Sequence, residues 1–183
     1  MPESPGGARL TFITGEARWI DGRVVVEKGE YLDSLVQRGY GTAEGERLVL
    51  SPEESLYLVA EKKLIVRDGD SREVAFKELA EAFLRRDPEV WTRYLVFRDL
   101  RSRGYVVKEG YGLGLDFRVY ERGAYGKEPA KLIVVGVSEG KPLRIETLVD
   151  NLRTTQSSKK ELVLAVIDRR GEVVYYAVSP LGF

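Results

Sequence analysis

The stretch LDFRVYERGAYGKEPAKLIVVG, residues 115–136, decides the fold. It opens on strict alternation. Leu115, Phe117 and Val119 share one face, and Asp116, Arg118 and Tyr120 the other, which is the period of a half-buried strand. Leu113 extends the apolar face by one step, and with that face in the core Tyr120 points outward beside Arg118 and Asp116. A charged, glycine-containing loop follows. KLIVVGV is then almost continuously apolar, as in a strand covered on both faces. The setting resembles a catalytic one, with polar side chains delivered on a rigid sheet. Yet the 183-residue chain contains no histidine and no cysteine.

On the C-terminal side, IETLVDNLRTTQ has Ile145, Leu148, Val149 and Leu152 at helical spacing. ELVLAVID and EVVYYAVS then form a hairpin over Arg169-Arg170-Gly171. On the N-terminal side, PEVWTRYLVFRDLRSR reads as a helix opened by Asp87-Pro88 and closed by Gly104, with YVVK as the strand after it. Helix, strands, helix, strands makes a compact α/β domain with a mixed sheet, assigned to residues 87–183.

Residues 1–86 read as an α+β domain. ARLTFI and the two halves of GEARWIDGRVVVEKG are strands, the latter pair turning at Asp21-Gly22. LSPEESLYLVAEKK is a helix with Ser51 as N-cap, Pro52 in the first turn and Glu54 completing a capping box. KLIVRDGD is a strand running into a turn. In REVAFKELAEAFLRR, Phe76, Leu79, Ala80, Phe83 and Leu84 form a helical stripe. The fold class is thus α/β, in two parts.

Composition narrows the function. Hydrophobic residues make up 43% and charged residues 32%, with a formal net charge of zero, as in a soluble globular protein whose contact with nucleic acid must come from a local basic patch. No apolar run approaches the roughly 20 residues that span a bilayer. MPESPGGARL carries an early acid and no apolar core, so it does not read as a secretory signal, and a cytoplasmic location is expected. High charge, one methionine and no cysteine lean toward heat adaptation.

Two constellations carry possible chemistry. Asp116 followed by Glu139 and Lys141 mimics an acid…ExK pattern, in which carboxylates hold a divalent metal at a phosphodiester and a lysine steadies the phosphate. SEGKP is punctuated by glycine and proline, however, so a solvated turn is the expected state of Glu139 and Lys141. The second constellation is Tyr120 with the basic run RTTQSSKK. Unperturbed tyrosine and lysine titrate at roughly 10 and 10.4, so neither is poised for proton transfer at neutral pH unaided, although lysine still stabilises charge on a phosphate. RNA cleavage by the substrate's own 2′-hydroxyl needs a base, an acid and a cation. Tyrosine, histidine and lysine would suffice without metal, and the histidine is missing.

YLVFRDLRSRGYVVKEGYGLGLDFRVYERG (94–123) and QSSKKELVLAVIDRRGEVVYY (156–176) resemble the C-terminal domain of archaeal tRNA-splicing endonucleases, the tRNA intron endonucleases. LVLSPEESLYLVAEKKLIV (48–66) is similar to that family's N-terminal domain. The resemblance implies Tyr120 as the catalytic base position, Lys160 as the transition-state cation, Arg153 as part of a clamp on a bulged nucleotide, and Tyr175 as an aromatic that shares it. The family's histidine, the general acid, falls on Pro129, which has no ionisable group. The implied role is therefore a structural subunit of a heterotetramer, beside a catalytic subunit of the same family and a precursor tRNA, with no cofactor and no membrane. The hairpin tip Asp168-Arg169-Arg170-Gly171-Glu172 corresponds to an acidic docking loop in which two arginines now sit; an ordinary solvated tip fits it equally. VVYYAVSPLGF suits either a strand-to-strand dimer interface or a core strand. Two readings stay open beside this one: an active nuclease with an altered site, using Glu128 next to Pro129 or metal at Asp116/Glu139/Lys141, and a fold relative that binds protein and touches no RNA.

Overall fold

The computed structural model describes residues 14–112 and 114–180, so the strand expected over ARLTFI, like Leu113, lies outside the described residues. The chain folds around two five-stranded sheets. The first has the order β3-β4-β2-β1-β5, built from β1 (Gly15–Ile20), β2 (Arg23–Val26), β3 (Thr42–Glu44), β4 (Arg47–Leu50) and β5 (Leu64–Arg67). Only β1 and β5 run parallel. Asp21 and Gly22 both take positive φ, 50° and 73°, the geometry a tight two-residue hairpin turn requires.

Three helices accompany that sheet: α1 (Glu30–Gln37), α2 (Pro52–Ala60) and α3 (Phe76–Leu84). The expected capping box is present: Ser51 accepts from the Glu54 N–H at 3.2 Å, and Glu54 accepts from the Ser51 N–H at 2.9 Å. Sequence periodicity did not find α1, β3 or β4. Each is short, and α1 starts from Gly29, whose lack of a side chain leaves no capping signal to read.

The second sheet has the order β10-β9-β8-β7-β6, from β6 (Val106–Gly112), β7 (Leu115–Tyr120), β8 (Leu132–Ser138), β9 (Glu161–Ile167) and β10 (Val173–Val178). β8 and β9 are parallel and the other pairs antiparallel, so the sheet is mixed as expected. Helix α4 (Val90–Ser102) covers one face and α5 (Ile145–Ser157) the other. β8 is buried on both faces: Val134 joins the core under α4, while Ile133 and Val135 join a smaller cluster with Leu148 and Leu152 of α5. Helix α4 begins two residues after Pro88. Asp87 accepts from the Glu89 N–H at 2.9 Å, so the Asp-Pro pair forms a turn before the helix rather than its first residues.

Both halves share one hydrophobic core, from Ala17 to Ile167, with α4 in the middle of it. Tyr57 of α2 packs edge-on to Phe97 of α4 (5.7 Å), and Phe97 packs on Phe117 of β7 (6.0 Å). Charged groups reinforce the junction. Arg93 donates to buried Glu53 and to Asp87, both at 2.7 Å. Lys108 donates to the Gly41 carbonyl at 2.6 Å and lies 3.7 Å from buried Glu54, which also accepts from the Gly41 N–H. Burial raises the Glu54 carboxyl above its ordinary range, with Lys108 pulling it back.

These groups line an inter-domain cleft of about 780 Å³ that also holds Asp116. Asp116 accepts from the Gly136 N–H at 2.7 Å, and burial pushes its carboxyl up to about 6 from 3.8. Among the described residues, no helix is long and apolar enough to cross a membrane.

Removing Arg93 strands a buried carboxylate, so Arg93→Ala is expected to cost about 3 kcal/mol in denaturant unfolding, part of it recovered by adding Glu53→Gln. Because the folded-state value of Asp116 is raised, its stabilising contribution is present below the unfolded value and lost as pH rises through about 6. Asp116→Asn, whose amide oxygen still accepts from Gly136, is therefore expected to remove that slope. It should gain about 3 kcal/mol relative to the native chain between pH ~4 and pH ~7.5, measured by unfolding across that range.

Candidate active site

Register gathers the residues that the sequence resemblance singled out. Val119 pairs with Leu132, and Leu132 pairs with Glu161. Tyr120 closes β7, residues 129–131 lead into β8, and Lys160 immediately precedes β9, so all three lie at one end of the sheet. Forty residues separate Tyr120 from Lys160, and the parallel β8–β9 pairing supplies the adjacency.

Lys160 Nζ donates to the Ala130 carbonyl at 3.0 Å, so its ammonium is held beside the residue that follows Pro129. Its backbone N–H closes helix α5 on the Thr155 carbonyl at 3.1 Å, with Lys159 in the left-handed conformation (φ 55°) at the helix end. Such a non-glycine residue is a strained choice.

Tyr120 is half-buried and meets Tyr125 edge-on, with ring centroids 5.1 Å apart. Tyr125 in turn packs against Gly39 of the N-terminal half, where any side chain would run into Val106 and Tyr125. The 121–131 loop is tied by Glu121–Lys131 (3.1 Å) and by the Lys127 and Glu128 N–H groups on the Ala124 carbonyl. Pro129 and Glu128 are exposed on this loop. Tyr125 and the Ala130 carbonyl went unread in the sequence, because a loop carries no periodicity and a backbone carbonyl no identity.

The remaining candidates lie apart. Arg153 is exposed on α5, 3.7 Å from Asp150. Tyr175 faces the other side of the sheet: its hydroxyl donates to Asp99 at 2.7 Å and Arg103 lies over its ring, so it does not share a face with Arg153. Burial, then the Asp99 carboxylate, hold its phenol far above the ordinary value. Tyr176 is the exposed aromatic of that pair.

At the hairpin tip, Asp168 accepts from the Arg170 and Glu172 N–H groups (2.8 and 2.9 Å), which hold its carboxyl below the usual range, the Glu172 N–H foremost. Arg169, Arg170 and Glu172 are exposed around it. Glu139 lies on the turn after β8, as expected, and Lys141 is paired with Glu89 at 2.6 Å. Asp116 is engaged by the Gly136 N–H and Lys141 by Glu89, so these two side chains have separate partners. Among the described residues no group of three or more carboxylates is spaced to hold a metal ion.

Tyr120 at the end of β7 and Lys160 immediately before β9 thus lie at the same end of the sheet, with Pro129 on the loop that leads into β8. The sequence matches the family models for the tRNA intron endonuclease N-terminal domain over residues 15–80 and the tRNA intron endonuclease catalytic C-terminal domain over 90–175. It is 38% identical over 165 residues to the tRNA-splicing endonuclease of Methanococcus vannielii, covering 90% of this chain and 93% of the relative. It is 37% identical to that of Pyrococcus furiosus, covering 86% and 91%. A Methanosarcina acetivorans relative, 33% identical, is matched over 89% of this chain and 47% of its own length. With both of its halves matched and with relatives of nearly its own extent, the chain belongs to the tRNA intron endonuclease family.

Proposed function

We propose that this chain is the structural, non-cleaving subunit of an enzyme that removes introns from precursor tRNA at bulge-helix-bulge sites, working beside a histidine-bearing catalytic subunit in a cytoplasmic heterotetramer. The observation that carries this reading is Pro129. Cleavage by the substrate's 2′-hydroxyl breaks the bond from phosphorus to the 5′-oxygen. It leaves a 2′,3′-cyclic phosphate and a 5′-hydroxyl, and the departing oxygen must take up a proton. Proline has none to give, and the sequence holds no histidine to replace it. Tyr120 and Lys160 keep the base and cation positions without the acid. The reaction as described needs no cofactor.

The surface supports a partner of the same family. β10 is an edge strand that exposes Val174 (52%) and Tyr176 (55%), and Ile145 (75%) is exposed at the start of α5. An open edge flanked by exposed apolar side chains is a surface that a second chain covers. The hairpin tip is a second docking element. Asp168 is committed to its own turn, so Glu172 is the acid turned outward beside Arg169 and Arg170, and a pocket receiving the tip must match mixed charge. Arg153, exposed and weakly paired, suits contact with the RNA.

In EDTA, a bulge-helix-bulge RNA should be cut by a mixture of this chain and its histidine-bearing homologue, and not by this chain alone. Cleavage by the pure chain would sink the proposal and make Glu128→Gln the next variant. Val174→Glu should abolish the strand-edge contact, and light scattering should then show a smaller assembly than the native chain forms.

A further inference from the structure

We propose that Arg101 is a positioning residue through which the N-terminal half sets the geometry of Tyr120 and of the 121–131 loop. The inference goes beyond the structural-subunit reading and is independent of whether this chain cuts RNA.

Arg101 lies in the last turn of α4 and is half-buried. Its guanidinium reaches across to the turn that follows α1. Nε donates to the Tyr40 hydroxyl at 3.1 Å, one terminal nitrogen to the Arg38 carbonyl at 3.1 Å, and the other to the Tyr105 carbonyl at 3.4 Å. The same group lies over the Tyr40 ring, 3.8 Å from its centroid. Arginine presents its donors in a fixed fork and packs flat on aromatic rings, so one rigid group grips both ends of the 38–40 turn. All three acceptors are neutral, which makes the contact one of shape rather than of charge pairing.

Gly39, between those ends, connects the turn to the candidate site. It takes φ 73° and closes α1, with the Tyr40 N–H on the Leu35 carbonyl at 2.9 Å. A Cβ at Gly39 would lie 2.5 Å from the Val106 side chain and 3.1 Å from the Tyr125 ring. The backbone of the turn is therefore in close contact with both. Val106 pairs with Tyr120 across the β6–β7 ladder, and Tyr125 meets the Tyr120 ring edge-on at 5.1 Å. Two residues that flank Tyr120, one through the strand and one through the ring, thus rest on the same three-residue turn.

Lys108 and Glu54 fasten Gly41, one residue further on, from the Gly41 carbonyl and N–H respectively. Arg101 is the member that grips residues 38 and 40, on either side of Gly39. The N-terminal half thereby shapes the candidate site through its backbone at Gly39, and Arg101 fixes where that backbone lies.

The test uses the full chain with isotope-labelled tyrosine rings, read by NMR alongside amide hydrogen exchange. Arg101→Lys keeps the charge but loses the fork and the flat face, and Tyr40→Phe removes one acceptor but keeps the ring. Arg101→Lys should shift the Tyr120 and Tyr125 ring signals and speed exchange of the Lys127 and Glu128 amides about tenfold, with Tyr40→Phe giving the same pattern at about threefold. Arg93→Ala breaks a contact between the halves away from this turn and controls for lost stability. It should lower the unfolding free energy and leave those ring signals and amides as in the native chain. Native ring signals with loop exchange within about twofold of native in both Arg101→Lys and Tyr40→Phe would overturn the proposal. So would a change confined to the Tyr40 ring, or the same loop changes in Arg93→Ala.

Discussion

The pairing of β8 with β9 is the constraint on which the rest of the C-terminal half depends. Parallel strands cannot be joined by a tight turn, so the chain must cross over, and α5 is that crossover. Running β9 in the same direction as β8 puts the start of both strands at one end of the sheet. Antiparallel β7 brings its finish to that end as well. A tyrosine, a loop and a lysine from three distant segments therefore lie at one end of the sheet because of strand direction.

The N-terminal half is not an appendage to this arrangement. Helix α4 is shared by both halves, and its Phe97 links Tyr57 of α2 to Phe117 on the strand that carries Tyr120. Buried Glu53 and Glu54 have their cationic partners, Arg93 and Lys108, on the C-terminal side. Removing one member of such a pair leaves a charge without water or partner, which makes the junction intolerant of single changes. Tyr125 extends the coupling to the candidate site, since its ring lies between Gly39 and Tyr120. The loop that carries Pro129 is thus well anchored.

Under the structural-subunit reading we propose, a missing acid and a kept scaffold are physically compatible. A general acid contributes only while the leaving oxygen departs, whereas strand register, the Lys160–Ala130 bond and the aromatic brace serve folding as well. On that reading the first can be lost without disturbing the second. At the β10 edge, Val174 and Tyr176 are exposed among the described residues.

The sequence by itself determined the periodic elements: alternation in 115–120, the continuous apolar run of β8, the capping box at Ser51 and Glu54, and the turn at Asp21-Gly22. It also determined the absence of histidine and the proline at position 129. These are local properties, written into side-chain spacing and backbone preference within a few residues. Only the tertiary structure decided that Lys160 adjoins Ala130, that Tyr175 turns toward Asp99 while Tyr176 is exposed, that Asp116 lines a cleft between two halves sharing one core, and that α1, β3 and β4 form at all. Each of those depends on strand direction, register or long-range packing. Such contacts join residues tens of positions apart, and no pattern within either segment encodes the partner it will meet.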